Sequence, residues 1–231
     1  MTRHTRIVEA LIFVAMLSVL HNKAEAKTTQ SEDVEMRGFG HVRITAEEPE
    51  NGWLNLKFKN VDTGRLLATI FADKSDNSFR AGNLGSIRFR VLHVAGLPDP
   101  LILGIAKAQG ASDCAYQTIP IGFVHGKIRV LSSHVLNFAT QGGIYLGSVN
   151  GSVALALWYF DSTDDVEHYG PHKYRFQFFR WNPKTGLLQL SRATTSRRYD
   201  SEREAAKSFG LSAEGIIDST TISSWFPELG C

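Results

Sequence analysis

The sequence predicts a mainly β fold, in which antiparallel four-stranded meanders pack as a sandwich or a partial propeller and one short helix follows at the C-terminus. Three observations support this fold class. Apolar and polar residues alternate in several short segments, such as 54–58 and 87–91, with the period of a half-buried strand. Turn signals that contain glycine or proline separate these segments. Two groups of four such segments also follow the same order along the chain.

Length and composition limit the classes of protein to which this chain can belong. It has 231 residues, 43% hydrophobic and 21% charged, which argues for an ordinary core and against disorder or a polytopic membrane protein. A formal net charge of +2 argues against a nucleic-acid partner. Two cysteines are too few for a four-thiolate zinc cluster or a dense disulfide scaffold.

Residues 1–26 are typical of a secretory signal peptide. Arg3 and Arg6 precede an uncharged run over 10–20, and the segment ends in Ala-Glu-Ala at 24–26. As a helix, the uncharged run would span about 16 Å, roughly half of the hydrocarbon core of a bilayer. We therefore expect cleavage after residue 26, export to the periplasm or the exterior, and no integral membrane segment afterwards. An uncleaved N-terminal anchor is the alternative.

The rest of the chain is expected to form a leader and a single β-rich domain. Residues 27–36 are mostly polar and predict a flexible leader, and the domain covers 37–231. Within it, the units 87–132 and 143–192 each contain four predicted strands, with a long loop between the second and the third. A repeat of about 50 residues with four short strands is the pattern of a propeller blade. Residues 37–72 are a more degenerate candidate for a third unit.

The segment 201–231 is predicted to form a helix and a docked tail. Ser201 and Glu204 match a capping box, and Gly210 is a stop signal. The apolar pair Trp225-Phe226 is expected to bring the tail onto the body. Four arginines nearby are expected to form a solvated connector: Arg192, Arg197, Arg198 and Arg203.

Cys114 and Cys231 are a candidate disulfide, because an exported chain enters an oxidising compartment. The bridge would close a loop of more than a hundred residues, worth up to about 4–5 kcal/mol in the chain-entropy model. Two free thiols and an intermolecular bridge remain open, since the sequence does not give the distance between the two Cα atoms.

Three segments carry a resemblance to a known group of proteins: 93–100 (HVAGLPDP), 155–158 (LALW) and 168–174 (HYGPHKY). They resemble uncharacterised bacterial secreted proteins whose blade-like repeats are similar to FG-GAP or VCBS-type propeller repeats. The resemblance covers about residues 85–192. It implies a secreted β-rich module that binds rather than catalyses. The calcium-binding Asp-x-Asp-x-x-x-Asp loop of FG-GAP repeats is not present in full, which puts an inherited metal role in doubt.

The loop over 161–173 is the strongest candidate for a metal site. Its potential ligands are four carboxylates and two imidazoles: Asp161, Asp164, Asp165, Glu167, His168 and His172. Carboxylates alone would suit calcium, whereas two imidazoles with a carboxylate would suit zinc. A solvated acidic loop is the alternative.

Aromatic residues crowd two adjacent predicted strands and the loop between them. Those considered as binding residues for an unknown protein or glycan are Trp158, Tyr169, Tyr174 and Trp181. Such a platform needs one exposed face of the sheet. The continuous apolar run over 153–160 favours the other possibility, a central strand covered on both faces.

No catalytic motif is evident, since Gly-x-Ser-x-Gly, Ser-x-x-Lys and His-Glu-x-x-His are all absent. The sequence therefore predicts a secreted or periplasmic binding module of unknown ligand. One alternative is a secreted hydrolase that uses carboxylates and histidines of the loops 108–117 and 161–173, for example Asp113 with Asp164 or Asp165. The other is a structural subunit of a larger β assembly.

Overall fold

The computed structural model describes residues 27–48, 55–71, 84–97, 99–108, 115–132, 136–139, 141–149, 152–163 and 170–230. The predicted signal peptide and both cysteines, Cys114 and Cys231, lie outside these ranges. None of the helices within them is long and apolar enough to cross a membrane.

The described strands form three antiparallel sheets, each built on a four-stranded meander. Sheet 1 contains β1 (Lys27–Met36), β2 (Gly40–Glu48), β3 (Asn55–Asn60) and β4 (Leu66–Phe71). Sheet 2 contains β5 (Leu84–Leu92), β6 (Leu101–Ala108), β7 (Ala115–Val124) and β8 (Lys127–Val130), with β9 (Leu136–Ala139) also paired to β7. Sheet 3 contains β10 (Gly143–Val149), β11 (Ser152–Phe160), β12 (Tyr174–Asn182), β13 (Leu187–Thr195) and β14 (Ile216–Asp218). The mainly β fold of antiparallel meanders is thereby confirmed.

The sheets stack in chain order, because each shares an apolar core with the next. Alternate residues of β6 show this arrangement. Leu103 and Ile105 point into the core shared with sheet 3, whereas Ile102 and Ala106 point into the core shared with sheet 1. A third core lies on the outer face of sheet 3, beneath the first C-terminal helix.

The leader expected over 27–36 is instead the strand β1, which pairs with β2 from Lys27 to Met36. Val34 and Met36 are buried in the core shared with sheet 2, while Asp33 and Glu35 face solvent. The expectation is wrong, because the segment is polar on average but alternates with period two at its end, which places Val34 and Met36 on the buried face.

Two short helices follow sheet 3: α1 (Glu202–Ser208) and α2 (Ser219–Trp225), with 3₁₀ turns η1 (Ala213–Gly215) and η2 (Pro227–Leu229). The predicted cap of α1 is present, since the Ser201 hydroxyl accepts from the Glu204 N–H at 3.3 Å. Helix α2 was not predicted, because its Ser-Thr-Thr start has low helix propensity. The Asp218 side chain caps it by accepting from the Thr221 N–H at 2.9 Å.

The predicted docking of the tail is confirmed. In η2, the backbone carbonyl of Leu229 accepts from the buried Tyr116 hydroxyl at 3.0 Å. Glu228 forms an ion pair with Arg88 of β5 at 2.6 Å. The C-terminal segment 226–230 therefore contacts sheet 2 through both its backbone and its side chains.

Candidate functional site

The structure describes only part of the predicted metal loop. Five of the candidate residues lie outside the described residues: Asp164, Asp165, Glu167, His168 and Tyr169. Asp161 and His172, which flank this gap, are both buried.

The Asp161 carboxylate accepts hydrogen bonds from residues near the end of β11 and the start of β12. Its Oδ1 accepts from Arg175 Nε at 2.9 Å, and from the backbone N–H and hydroxyl of Thr163 at 3.1 and 2.8 Å. Burial alone would raise the pKa of Asp161, but the hydrogen bonds from Thr163 and the charge of Arg175 lower it below its ordinary value. The ionised carboxylate is therefore already compensated by protein groups.

His172 belongs to a backbone bridge that joins the loop to the chain after β13. Its N–H and carbonyl both pair with Tyr199 at 2.9 Å, and its ring packs edge-to-face on Phe160 with centroids 4.8 Å apart. Among the described residues, no group of three or more metal-ligating side chains comes together. The calcium or zinc site thus remains a prediction that concerns mainly the residues between 163 and 170.

Two of the aromatic candidates, Trp158 and Tyr174, are buried in the core beneath α1. Trp158 stacks on Phe176 with ring centroids 5.6 Å apart. Burial, together with the charge of Glu202, raises the pKa of Tyr174 to about 12. In this conformation neither ring presents a face to a ligand, because α1 covers this part of sheet 3.

The strand β11 explains why these rings are covered. It lies at the centre of sheet 3, between β10 and β12, and both its faces are packed. Leu155 and Leu157 point towards sheet 2, while Ala156 and Trp158 point towards α1. The central strand that the apolar run over 153–160 predicts is confirmed.

Trp181, the remaining candidate, lies at the other face of sheet 3. It is half-buried and lines a cavity of about 180 Å³ together with Leu97, Phe123 and Leu131. This volume is below the ~300–1,000 Å³ of common ligand pockets. The cavity is a gap between sheets 2 and 3 that is smaller than an ordinary ligand site.

A larger concave site, which we call the sheet-3 cleft, opens on the outer face of sheet 3 beside the end of α1. Its volume is about 350 Å³. The apolar part of its lining consists of Val149, Val153, Ala154, Phe178, Phe179, Phe209 and Leu211. The polar part includes two arginines, Arg180 and Arg192.

The cleft exists because α1 covers only part of the outer face of sheet 3. Helix α1 packs over the region of Trp158 and Phe176, and the chain then turns back at Gly210, whose φ of +78° is left-handed. The part of the sheet that α1 leaves uncovered includes Ala154 of the central strand β11. This small residue pairs with Arg180 of β12. A short side chain next to an uncovered stretch of sheet leaves a recess.

A β-bulge shapes the rim of the cleft. Phe178 pairs with Arg192 and Phe179 with Leu190, so that Ser191 is an additional residue in β13. The Ser191 hydroxyl donates to the Phe178 carbonyl at 2.9 Å. Bulges bend an edge strand and redirect its side chains, and they are common next to functional sites.

Three phenylalanines form one wall of the cleft and the core behind it. Phe176 and Phe178 stack with centroids 5.9 Å apart, and Phe209 contacts them at 4.6 and 5.6 Å. Phe176 is buried, whereas Phe178 and Phe209 are partly exposed. The cluster thus exposes aromatic surface of Phe178 and Phe209 to the cleft, and the buried Phe176 supports both rings from below.

Positive charge borders this aromatic surface. Both Arg180 and Arg192 are exposed, and the Arg192 guanidinium lies 5.9 Å from the centroid of the Phe178 ring. Within the part of the chain that the structure describes, the cleft is lined by no aspartate or glutamate. Arg192, interpreted from the sequence as part of a solvated connector, therefore lies at the rim of a site.

The sequence analysis missed this cleft, although one signal was available. Two adjacent aromatic residues, Phe178 and Phe179, interrupt the alternation along β12 at the position opposite the bulge. The contribution of Phe209 and Leu211 has no local signal, since it depends on where α1 packs. No protein-family model matches the chain, and a search of curated proteins gave no match either.

Proposed function

We propose that this protein is an exported binding module whose ligand site is the sheet-3 cleft, and that the ligand is a small molecule with an apolar body. The observation that carries the proposal is the concave aromatic surface of Phe178 and Phe209, which a solvent-facing sheet has no need to expose. Concave apolar surface with a few polar groups is the usual composition of a ligand site.

The opposite end of the stack supports this interpretation. The outer face of sheet 1 carries charged side chains that form ion pairs, such as Arg43–Asp33 at 2.7 Å and Lys57–Glu47 at 2.5 Å. The outer face of sheet 3 lacks such a covering at the cleft and presents apolar side chains instead. A volume of about 350 Å³ suits a small molecule rather than a folded partner.

Export is proposed from the sequence of residues 1–26, which has the three regions of a signal peptide in the right order. The resemblance of residues 85–192 to the blade-like repeats of secreted proteins agrees with a binding role. The three stacked meanders provide a rigid base for the cleft, as a preformed site requires.

The test is a titration with the uncharged fluorophore phenylnaphthylamine, whose emission rises in apolar surroundings. Replacing Ala154 with Phe fills the recess, and we expect A154F to weaken binding at least about tenfold, since the probe and the new ring compete for one volume. Ala139→Phe places the same ring at an exposed position of β9 and is expected to bind like the wild type.

A second variant guards against misfolding of A154F. Phe209 is only half-buried, and F209A removes a wall of the cleft while leaving β11 intact. We expect several-fold weaker binding for F209A. Wild-type affinity in both folded variants, with their melting curves as the control, would reject the cleft as the ligand site.

A further inference from the structure

The two arginines of the cleft come from neighbouring strands and both lie beside Phe178. Phe178 and Arg180 are two residues apart on β12 and therefore share a face of the sheet. Arg192 comes from the neighbouring strand β13, where it pairs directly with Phe178. A group that rests on Phe178 can thus be reached by guanidinium groups from two strands.

Four of the other arginines of the described chain form ion pairs with carboxylates. Arg43 pairs with Asp33, Arg88 with Glu228, Arg175 with Asp161 and Arg203 with Asp218. Across the described residues, Arg180 and Arg192 have no such ion pair. Their charge is therefore left uncompensated, beside a lining without carboxylates.

The Arg192 side chain also contacts the aromatic surface of the cleft. Its guanidinium lies over the face of the Phe178 ring, an attraction that limits its rotamers. A planar guanidinium offers paired N–H donors that match a carboxylate or a phosphate. Preorganisation of this kind reduces the entropy lost when the ligand binds.

From these observations we infer that the ligand of the sheet-3 cleft is an anionic amphiphile, whose apolar body packs on Phe178 and Phe209 and whose anionic group is bound by Arg180 and Arg192. The inference rests on the proposed function and adds the chemical class of the ligand to it. A medium-chain carboxylate is the simplest molecule of this class.

The first experiment compares three probes with the same ten-carbon chain: decanoate, decanol and decyltrimethylammonium. Each probe is titrated, below its aggregation concentration, into the protein with bound phenylnaphthylamine, and the displacement of the fluorophore is measured. We expect decanoate to bind about tenfold more tightly than decanol, and the cation to bind most weakly, because hydrogen bonds to a charged group contribute about that factor. Added salt should reduce the advantage of decanoate.

The second experiment removes the charges one at a time. R180Q and R192Q are each expected to weaken decanoate binding about three- to tenfold and to weaken decanol binding less. R192K, which keeps the charge but not the planar fork, should recover part of the loss. Arg65→Gln removes an exposed arginine of the turn between β3 and β4 and serves as the matched control.

The outcomes separate the two proposals. If decanol binds as tightly as decanoate and the arginine variants bind both equally, the inference about the anion is overturned while the cleft remains a ligand site. If none of the probes binds, and phenylnaphthylamine does not bind either, the proposed function itself fails. Loss of decanoate binding in R65Q as well would show a general charge effect and would also overturn the inference.

Discussion

At the scale of single residues, the buried Asp218 carboxylate links the last strand to both C-terminal helices. Its two oxygens accept from the Arg203 guanidinium of α1, and Oδ1 also accepts from the N–H and hydroxyl of Thr221 in α2. Burial alone would raise the pKa of Asp218, but the hydrogen bonds from Arg203 and Thr221 hold it below its ordinary value of 3.8.

We therefore predict that Asp218→Asn destabilises the protein by about 1–2 kcal/mol at neutral pH, because the charged partner of the half-exposed Arg203 is lost. The asparagine still caps α2, whereas Asp218→Ala removes the cap as well and should cost about 1 kcal/mol more. Urea unfolding of the three proteins measures these differences in the free energy of unfolding.

The pH dependence gives an independent check. The pKa of Asp218 is lower in the folded protein than in the unfolded chain. Its contribution is therefore fully present above the unfolded value of about 4, and it is lost as the pH falls through the lower folded value. The gap between wild type and D218N should shrink on acidification below about pH 4. A gap that is constant or grows would contradict this role.

At the scale of elements, the strand β1 is the part whose structure differs most from expectation. It is an edge strand of sheet 1, yet Met36 is fully buried in the core between sheets 1 and 2. The Arg37 N–H that follows it donates to the Asp99 carboxylate of the loop after β5 at 2.9 Å. The strand is thus fixed to sheet 2 as well as to β2.

Met36→Ala distinguishes a strand from a loose leader. We predict a loss of about 2–5 kcal/mol in the free energy of unfolding, since a fully buried side chain is truncated. Ser31→Ala, at an exposed position of the same strand, should lie within about 0.5 kcal/mol of wild type. Equal stability of M36A and S31A would mean that residues 27–36 are not part of the folded core.

At the scale of the whole molecule, the C-terminal segment 226–230 packs against sheet 2, the middle of the three sheets. Tyr116 lies two residues after Cys114, and its hydroxyl donates to the carbonyl of Leu229, two residues before Cys231. Lys107, which pairs with Tyr116 across β6 and β7, donates from Nζ to the Gly230 carbonyl. Described neighbours of the two cysteines are therefore in direct contact.

The Cys114–Cys231 disulfide remains a prediction, and these contacts favour it over two free thiols. We expect peptide mapping of unreduced protein, prepared from an oxidising compartment, to recover two peptides joined by a disulfide, one with Cys114 and the other with Cys231. Reduction should lower the free energy of unfolding by up to about 4–5 kcal/mol, because the bridge closes a long loop. Two thiols that react with iodoacetamide in denaturant without reductant would exclude the bridge.

The meanders of sheets 2 and 3 could be predicted from the sequence because their determinants are local. Period-two alternation, as in residues 87–91, and turn signals such as Asn182 to Gly186 act within a few residues of the strands they define. The same holds for the cap of α1 at Ser201 and for the central position of β11, whose apolar run is continuous. These features depend mainly on neighbouring residues and little on contacts with distant parts of the chain.

The site could not be predicted in this way, because it combines residues from four strands and from the turn after α1. Ala154, Phe178, Arg192 and Phe209 meet only once sheet 3 has its register and α1 has packed on it. Likewise, Trp158 and Tyr174 have the composition of a binding platform, and only their burial beneath α1 assigns them to the core. Local sequence thus determined the strands, turns and fold class, whereas non-local packing decided which aromatic and charged side chains face solvent.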